Sequence, residues 1–232
     1  MMKELMQALS IEDPYEGFNV DDHPGDLQGW NSYHPNFEMM LGTYKPRIVV
    51  EVGTWKGASA IHMADLAKRM GLDCSFICVD TWLGGIEHRR HQMYYDSLRT
   101  KHGYPQLFHT FLSNVLRAGA QDSIIPFPNT STTAGRWLKE RHVSPGLVYI
   151  DGSHDTEDVF ADLSVWFDIL SVGGAVFGDD YSYPSVAQGI QMFAKINNLH
   201  VDVLSCNTQW VIRKTLPHIP IQTVQIIEKF TR

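Results

Sequence analysis

The chain is short of cysteine, of positive charge and of long apolar runs, and each shortage removes a class of protein. Its three cysteines, Cys74, Cys78 and Cys206, cannot all pair and lack the spacing of a zinc site. No disulfide framework is implied, which fits a reducing compartment. Nineteen Lys plus Arg stand against 26 Asp plus Glu, a formal charge of −7. A general polyanion binder needs clustered positive charge, and the nearest approach here is the pentapeptide EHRRH at 87–91. A nucleic-acid partner is therefore not expected. No apolar run approaches the roughly 20 residues of a membrane span. The opening MMKELMQALSIEDPY has no apolar core of a signal peptide. The expectation is a soluble, cytoplasmic protein without a membrane partner.

What is present reads as one α/β domain. The 232 residues are 44% hydrophobic and 19% charged, enough for a sizeable core with an extension. Residues 1–45 carry turn formers and aromatics without sustained periodicity, and are read as an arm or lid over a domain at 46–232. From Arg47 the pattern becomes regular. RIVVEVG, CSFICVD, SIIPF, GLVYID and GGAVFGD read as strands, the first two with the continuous β-branched or apolar character of strands buried on both faces. Helical spacing falls between them, over 58–70, 91–102, 107–119, 133–142, 156–170 and 184–197. HVDVLS and QWVIRK close the chain as an antiparallel pair. This alternation predicts a Rossmann-like, doubly wound, mostly parallel seven-stranded sheet with an antiparallel last strand.

In such sheets ligands bind outside the carboxyl ends of the strands. Glu51, Asp80, Asp151 and Asp179 all fall at or near strand ends and should gather along one edge. The loop EVGTWKGAS places Gly53 and Gly57 between a strand and a helix. It lacks the G-x-G-x-x-G of a pyrophosphate binder and suits a cofactor without phosphates. Asp80 sits where a carboxylate commonly accepts ribose hydroxyls. Asp151, Asp179 and Asp180 offer the oxygen-only ligation that Mg²⁺ prefers, and Mn²⁺ also fits. His154, in the loop after Asp151, is the candidate base. Asp155, Glu157 and Asp158 are read as a helix start favoured by the helix dipole. His88 and His91 are secondary candidates for substrate contacts. Trp30, Tyr33, Trp55, Trp82, Tyr181 and Tyr183 are candidates for the pocket wall or the core.

Together VEVGTWKGASA, CVDTWLGG, YIDGSH and GGAVFGDDY resemble class I S-adenosylmethionine-dependent methyltransferases. The nearest group resembles the metal-dependent O-methyltransferases that modify sugar hydroxyls of macrolide antibiotics. The resemblance implies a cofactor site of Glu51, Gly53, Thr54, Gly57, Ser59, Asp80, Thr81, Asn129, Ser131 and Asp151. Glu51 and Gly53 would lie beside the methionine part, Asp80 at the ribose, and Asn129, Thr130 or Ser131 at the adenine. It implies Mg²⁺ (or Mn²⁺) on Asp151, Asp179 and Asp180, and His154 with Asp151 as catalytic residues. The acceptor would be a hydroxylated small molecule such as a sugar. Catechol O-methyltransferase is more distant, since its metal pair ends Asp-Asn where this chain has Asp-Asp. A homo-oligomer stays open, with the aromatic arm free to reach a second subunit. The rivals are a nicotinamide-dependent oxidoreductase and a non-catalytic nucleotide- or metal-binding module.

Overall fold

The computed structural model describes residues 2–204 and 208–215, so Cys206 and Ser205 lie outside the described residues. Five strands, β1 (Ile48–Val52), β2 (Ser75–Asp80), β3 (Ile124–Pro128), β4 (Leu147–Ile150) and β5 (Ala175–Gly178), pair in parallel. Two more, β6 (Asp202–Val203) and β7 (Trp210–Arg213), complete the sheet in the order β3-β2-β1-β4-β5-β7-β6, with β7 antiparallel to both neighbours. The order steps outward in both directions from β1 and β4, so the gap between these two is the switch point where crevices form. The expected doubly wound sheet with an antiparallel last strand is present.

The strands are apolar throughout because both faces are covered. Successive side chains alternate between faces. Val50 and Val52 pack with Ile77, Val79, Leu163 and Trp166 in one buried cluster. Val49 joins Phe76, Tyr149, Phe177 and Phe111 in the other. Helices α7 (Ser131–Glu140), α8 (Thr156–Ile169) and α9 (Pro184–Asn197) cover the first face. Helices α3 (Ala58–Arg69) and α6 (Leu107–Arg117) cover the second. Among the described residues no helix is long and apolar enough to cross a membrane.

The segment before Arg47 differs from the turn-rich reading. It carries α1 (Met2–Leu9), which buries Leu5, Met6 and Leu9, and α2 (Asn36–Tyr44), which buries Phe37, Met40 and Leu41. Each helix has two turns or a little more, too short for sustained periodicity, and gains its stability from packing rather than from local propensity. Between them residues 10–35 hold one 3₁₀ turn, Val20–Asp22, and run across α6. There Asn114 Nδ2 donates to Asp26 O (2.7 Å) and Ser113 Oγ to His23 O (2.6 Å). The helix expected over 91–102 is shortened to α5 (Gln92–Ser97), and a further short helix, α4 (Ile86–Arg90), precedes it, the two separated at the extended His91.

Candidate active site at the carboxyl edge of the sheet

The exits of β1, β2 and β3 are stitched together by one residue, Asp80, through its carboxylate and its backbone carbonyl. Asp80 Oδ2 accepts the Trp55 amide and its Oδ1 the Trp82 amide, both at 2.8 Å. Trp82 Nε1 donates to Trp55 O at 2.7 Å, and Asn129 N to Asp80 O at 3.0 Å. Burial raises the Asp80 pKa, against the pull of those backbone amides. Trp55 and Trp82 both hold positive φ, 53° and 51°, a strained choice for bulky side chains that these bonds enforce. Beneath them Glu51 is fully buried. Its Oε1 accepts the Ser59 hydroxyl, and its Oε2 has no hydrogen-bond partner among the described residues. Burial, then the fields of Asp151 and Asp80, push its pKa up to about 8. Gly57 begins α3 at φ 88°, with the Phe111 ring 2.8 Å from where a Cβ would stand. Thr54 is buried and Thr81 exposed.

At the start of α7, Thr130 caps the helix by accepting the Thr133 amide. Ser131 is already occupied. Its Oγ accepts Trp166 Nε1 at 2.8 Å and hydrogen-bonds the buried carboxyl of Asp162. What Ser131 and Asn129 offer a ligand is therefore mostly backbone and amide at the rim. Asp162 was not anticipated; burial lifts its pKa to about 7.

The second half lies at the exits of β4 and β5. Tyr149 OH donates to Asp151 Oδ2 at 3.2 Å. The Asp151 pKa rises to about 8, through burial first and then the charges of Asp180 and Asp179. Asp179 is buried, and its Oδ1 accepts the Asp180 amide at 2.9 Å. Asp180 stands at φ 62° and aims Oδ2 at His154 Nε2, 2.8 Å away. The other ring nitrogen, Nδ1, lies 3.2 Å from Glu87 Oε1. Tyr183 stacks on the ring at 4.7 Å. The Asp180 hydrogen bond is the main cause that raises the His154 pKa. A small cavity of about 10 Å³ opens among Asp151, His154, Asp179 and Asp180. Asp155 takes the N-cap position of α8 without a side-chain bond, and Glu157 and Asp158 lie in its first turn, as expected of a helix start.

The structure thus brings Glu51, Asp80, Asp151, His154, Asp179 and Asp180 to one edge. Glu87 joins them from α4, hidden in the sequence inside the charged run EHRRH. His88 stacks on Trp55 at 4.2 Å and accepts the Gly85 amide, while His91 sits at the α4–α5 break. Of the aromatics, Tyr183 reaches the site, Trp82 is core, and Tyr33 turns to His62. A larger hollow of about 620 Å³ lies at the opposite edge, lined by residues that include Glu4, Lys45, Arg47, Gly146 and Gly173.

Two ligand fits follow. Gly53 and Gly57 let the loop pack directly on the Asp151 backbone and the Phe111 ring, where no Cβ fits, and the buried Glu51 Oε2 has no hydrogen-bond partner among the described residues, which suits a polar cofactor along α3. Three carboxylates at adjacent strand ends have the donor chemistry for a hard divalent cation, and the Asp151 pKa, raised first by burial and then by the charges of Asp180 and Asp179, includes a repulsion that a cation would relieve. Among the described residues, however, no three His, Cys, Asp or Glu side chains converge as a ligating set. Asp180 is turned to His154, and Asp179 to a backbone amide.

A 3-2-1-4-5-7-6 sheet with acids at the ends of β1, β2, β4 and β5 defines a Rossmann-like methyltransferase fold. Residues 50–181, more than half of the chain, match the model of a family described as a methyltransferase domain, and the chain belongs to that family. No curated protein matches the chain in sequence. Among solved structures it is similar to the O-methyltransferase NovP, at 14% identity over 78% of each chain with a TM-score of 0.56. It is also similar to an O-methyltransferase from Bacillus cereus in complex with SAH, at 15% identity over 92% of this chain and 90% of that one, TM-score 0.54. The SAH-bound methyltransferase PaMTH1 of Podospora anserina matches at 12% identity, over 89% and 87%, TM-score 0.58. These likenesses are of fold. Family membership displaces the nicotinamide reading.

Proposed function

We propose that the protein is an S-adenosylmethionine-dependent O-methyltransferase acting on a hydroxylated small molecule, with a sugar or glycosylated metabolite as acceptor and a divalent cation, Mg²⁺ or Mn²⁺, on Asp151, Asp179 and Asp180. The observation that carries it is the placement of His154. An imidazole bracketed by Asp180 and Glu87 stands on the same edge as the Asp80 and Glu51 loops, a base beside a cofactor cradle. NovP, the Bacillus cereus enzyme and PaMTH1 supply the analogy. The net charge of −7 and the free thiols of Cys74 and Cys78 support a cytoplasmic enzyme without a nucleic-acid substrate.

S-adenosylmethionine supplies an electrophilic methyl group on a sulfonium. Asp80 keeps one lone pair on each oxygen for ribose hydroxyls after receiving the two tryptophan amides, so the loop is organised before the cofactor arrives. Glu51 and Ser59 face the methionine end. A divalent cation held by Asp151, Asp179 and Asp180 would supply positive charge favourable to a deprotonated acceptor hydroxyl. His154 is the group placed to take the acceptor's hydroxyl proton at a ring nitrogen, and the bound cofactor's methyl would be the electrophile that the deprotonated oxygen meets. Alignment of oxygen, methyl and sulfur is the larger contribution, since well-oriented reactants gain about 7–11 kcal/mol over free encounter.

The test is calorimetric titration of S-adenosylmethionine into chelator-treated protein, with and without Mg²⁺ and against NADH, followed by label transfer to a panel of sugars and diols. Micromolar binding that Asp80→Ala removes and NADH does not match is expected, with transfer that a chelator suppresses. Absence of cofactor binding under either condition rejects the reading; transfer indifferent to chelator removes the metal from it.

A further inference from the structure

We propose that Lys56 is a positioning residue for the cofactor loop: its buried ammonium fastens residues 26–28 across the loop, so that docking of this strap and binding of S-adenosylmethionine reinforce each other. The inference rests on the methyltransferase reading for its ligand and on the strap's own contacts for its mechanism. Lysine is almost never fully buried without a partner. Lys56 stands in the middle of the glycine loop, yet its side chain is only 1% exposed. Its Nζ donates to Asp26 Oδ2 at 2.6 Å and to Gln28 Oε1 at 3.3 Å. Burial works against the Asp26 carboxylate, but the hydrogen bond from Lys56 prevails and holds its pKa below the usual range. The strap also catches the neighbouring side chain. Trp55 Nε1 donates to Gln28 Oε1 at 3.1 Å, while the Trp55 amide goes to Asp80. The left-handed Trp55 is thus held from two sides, by Asp80 and by the strap.

Strap and loop share a base. Asn114 of α6 is buried; its Oδ1 accepts the Asp26 amide, and its Nδ2 donates to both Asp26 O and Lys56 O. Gly29 carries the strap onto the start of α3, where a Cβ on it would stand 3.3 Å from that of Ala58. The strap itself buries little apolar surface, and Leu27 and Trp30 are exposed. Segments of this kind open locally at a fraction of the cost of global unfolding. When the strap lifts, the loop loses the contacts that fix Trp55, and an arriving cofactor must order the loop itself. Linkage makes the effect reciprocal: whatever factor strap docking adds to cofactor affinity, the cofactor adds to strap docking. A lysine that served only the stability of the fold would show no such coupling.

The experiment reads both sides of the linkage in the full chain: calorimetric titration of S-adenosylmethionine, and deuterium exchange of backbone amides 25–32 with and without it. Lys56→Met keeps the buried stem and removes the charge, leaving Asp26, whose side chain is 42% exposed, to water. Asp26→Asn breaks the pair from the exposed side and still accepts the Gln28 amide at Oδ1; it decides alone if Lys56→Met does not fold. Each should raise the dissociation constant about tenfold, inside the roughly 5–150-fold of typical couplings. In the parent the cofactor should slow strap exchange by a comparable factor, and in both variants that slowing should largely vanish. Trp137→Phe removes the bond from Trp137 Nε1 to Leu9 O elsewhere on the N-terminal segment, and should leave both readings unchanged. Unaltered affinity in Lys56→Met and Asp26→Asn, or strap exchange indifferent to cofactor in the parent, overturns the proposal. An equal loss in Trp137→Phe overturns it too, by assigning the effect to general loosening. A parent protein that binds no S-adenosylmethionine rejects the cofactor reading itself, and the proposal with it.

Discussion

Gly53 is where the two halves of the site touch. Its φ of 85° is in the region that favours glycine, and a Cβ there would stand 2.1 Å from the Asp151 carbonyl oxygen. The obstacle is backbone, so no side-chain rotation relieves it. Left-handed strain alone costs about 1–2 kcal/mol for an alanine, and separating β1 from the β4 exit adds to it. Thermal midpoints of chains this size move roughly 2–4 °C per kcal/mol. Gly53→Ala is thus expected to lower the midpoint by several degrees and to weaken cofactor binding through the displaced Asp151. Scanning calorimetry with a cofactor titration checks both; an unchanged midpoint would show that the two exits can part freely. Glycine at this position was legible in the sequence as a sharp turn after a buried strand. That the neighbour it makes room for is Asp151 was not, because the contact crosses from one βα unit to another.

The contact of α7 with α8 turns on a buried acid. Trp166 donates to Ser131 Oγ, and Ser131 hydrogen-bonds Asp162, which is 7% exposed. Burial lifts its pKa from 3.8 to about 7. The folded chain therefore keeps this proton to higher pH than the unfolded chain does. Asp162 imposes little penalty below pH 3.8; the penalty grows as pH rises to about 7 and is complete above it. Asp162→Asn keeps an acceptor for Ser131 and removes the charge. It is expected to stabilise the protein at pH 8 by on the order of a few kcal/mol, and by less at pH 5. Urea unfolding at the two pH values reads this; an equal gain at both would mean that the fold does not raise the carboxyl's pKa across that range. Elements divide in the same way between local and distant causes. The central strands were legible because burial on both faces leaves a continuous apolar run. Helices α1 and α2 were not, since two turns give too little periodicity and tertiary packing makes them. The strand expected over 200–205 is reduced to Asp202–Val203 in the described residues, an edge piece that only β7 supports. For the site, strand-end position located Glu51, Asp80, Asp151 and Asp179, whereas Glu87 and Asp162 arrive on helices, where no strand rule applies.

At the scale of the molecule the charge is uneven. Six carboxylates (Glu51, Asp80, Glu87, Asp151, Asp179 and Asp180) gather along the carboxyl edge of a chain whose formal charge is −7. Any salt should steady such a protein by screening, which acts within about 10 Å at 0.1 M. A specific cation site has a different signature. A ligand that binds only the folded state stabilises it by about 2.7 kcal/mol at a hundred times its dissociation constant. Magnesium chloride is thus expected to raise the thermal midpoint beyond sodium chloride of equal ionic strength. In Asp180→Asn the difference should vanish, because a ligand is lost. Asp151→Asn should behave in two parts. The uncomplexed protein should become more stable, since Asp151 is the group that burial and the charges of Asp180 and Asp179 disfavour. The magnesium increment should disappear. Equal midpoints in the two salts would assign the whole effect to screening and take the cation out of the proposed chemistry, leaving His154 and its carboxylates to activate the acceptor alone.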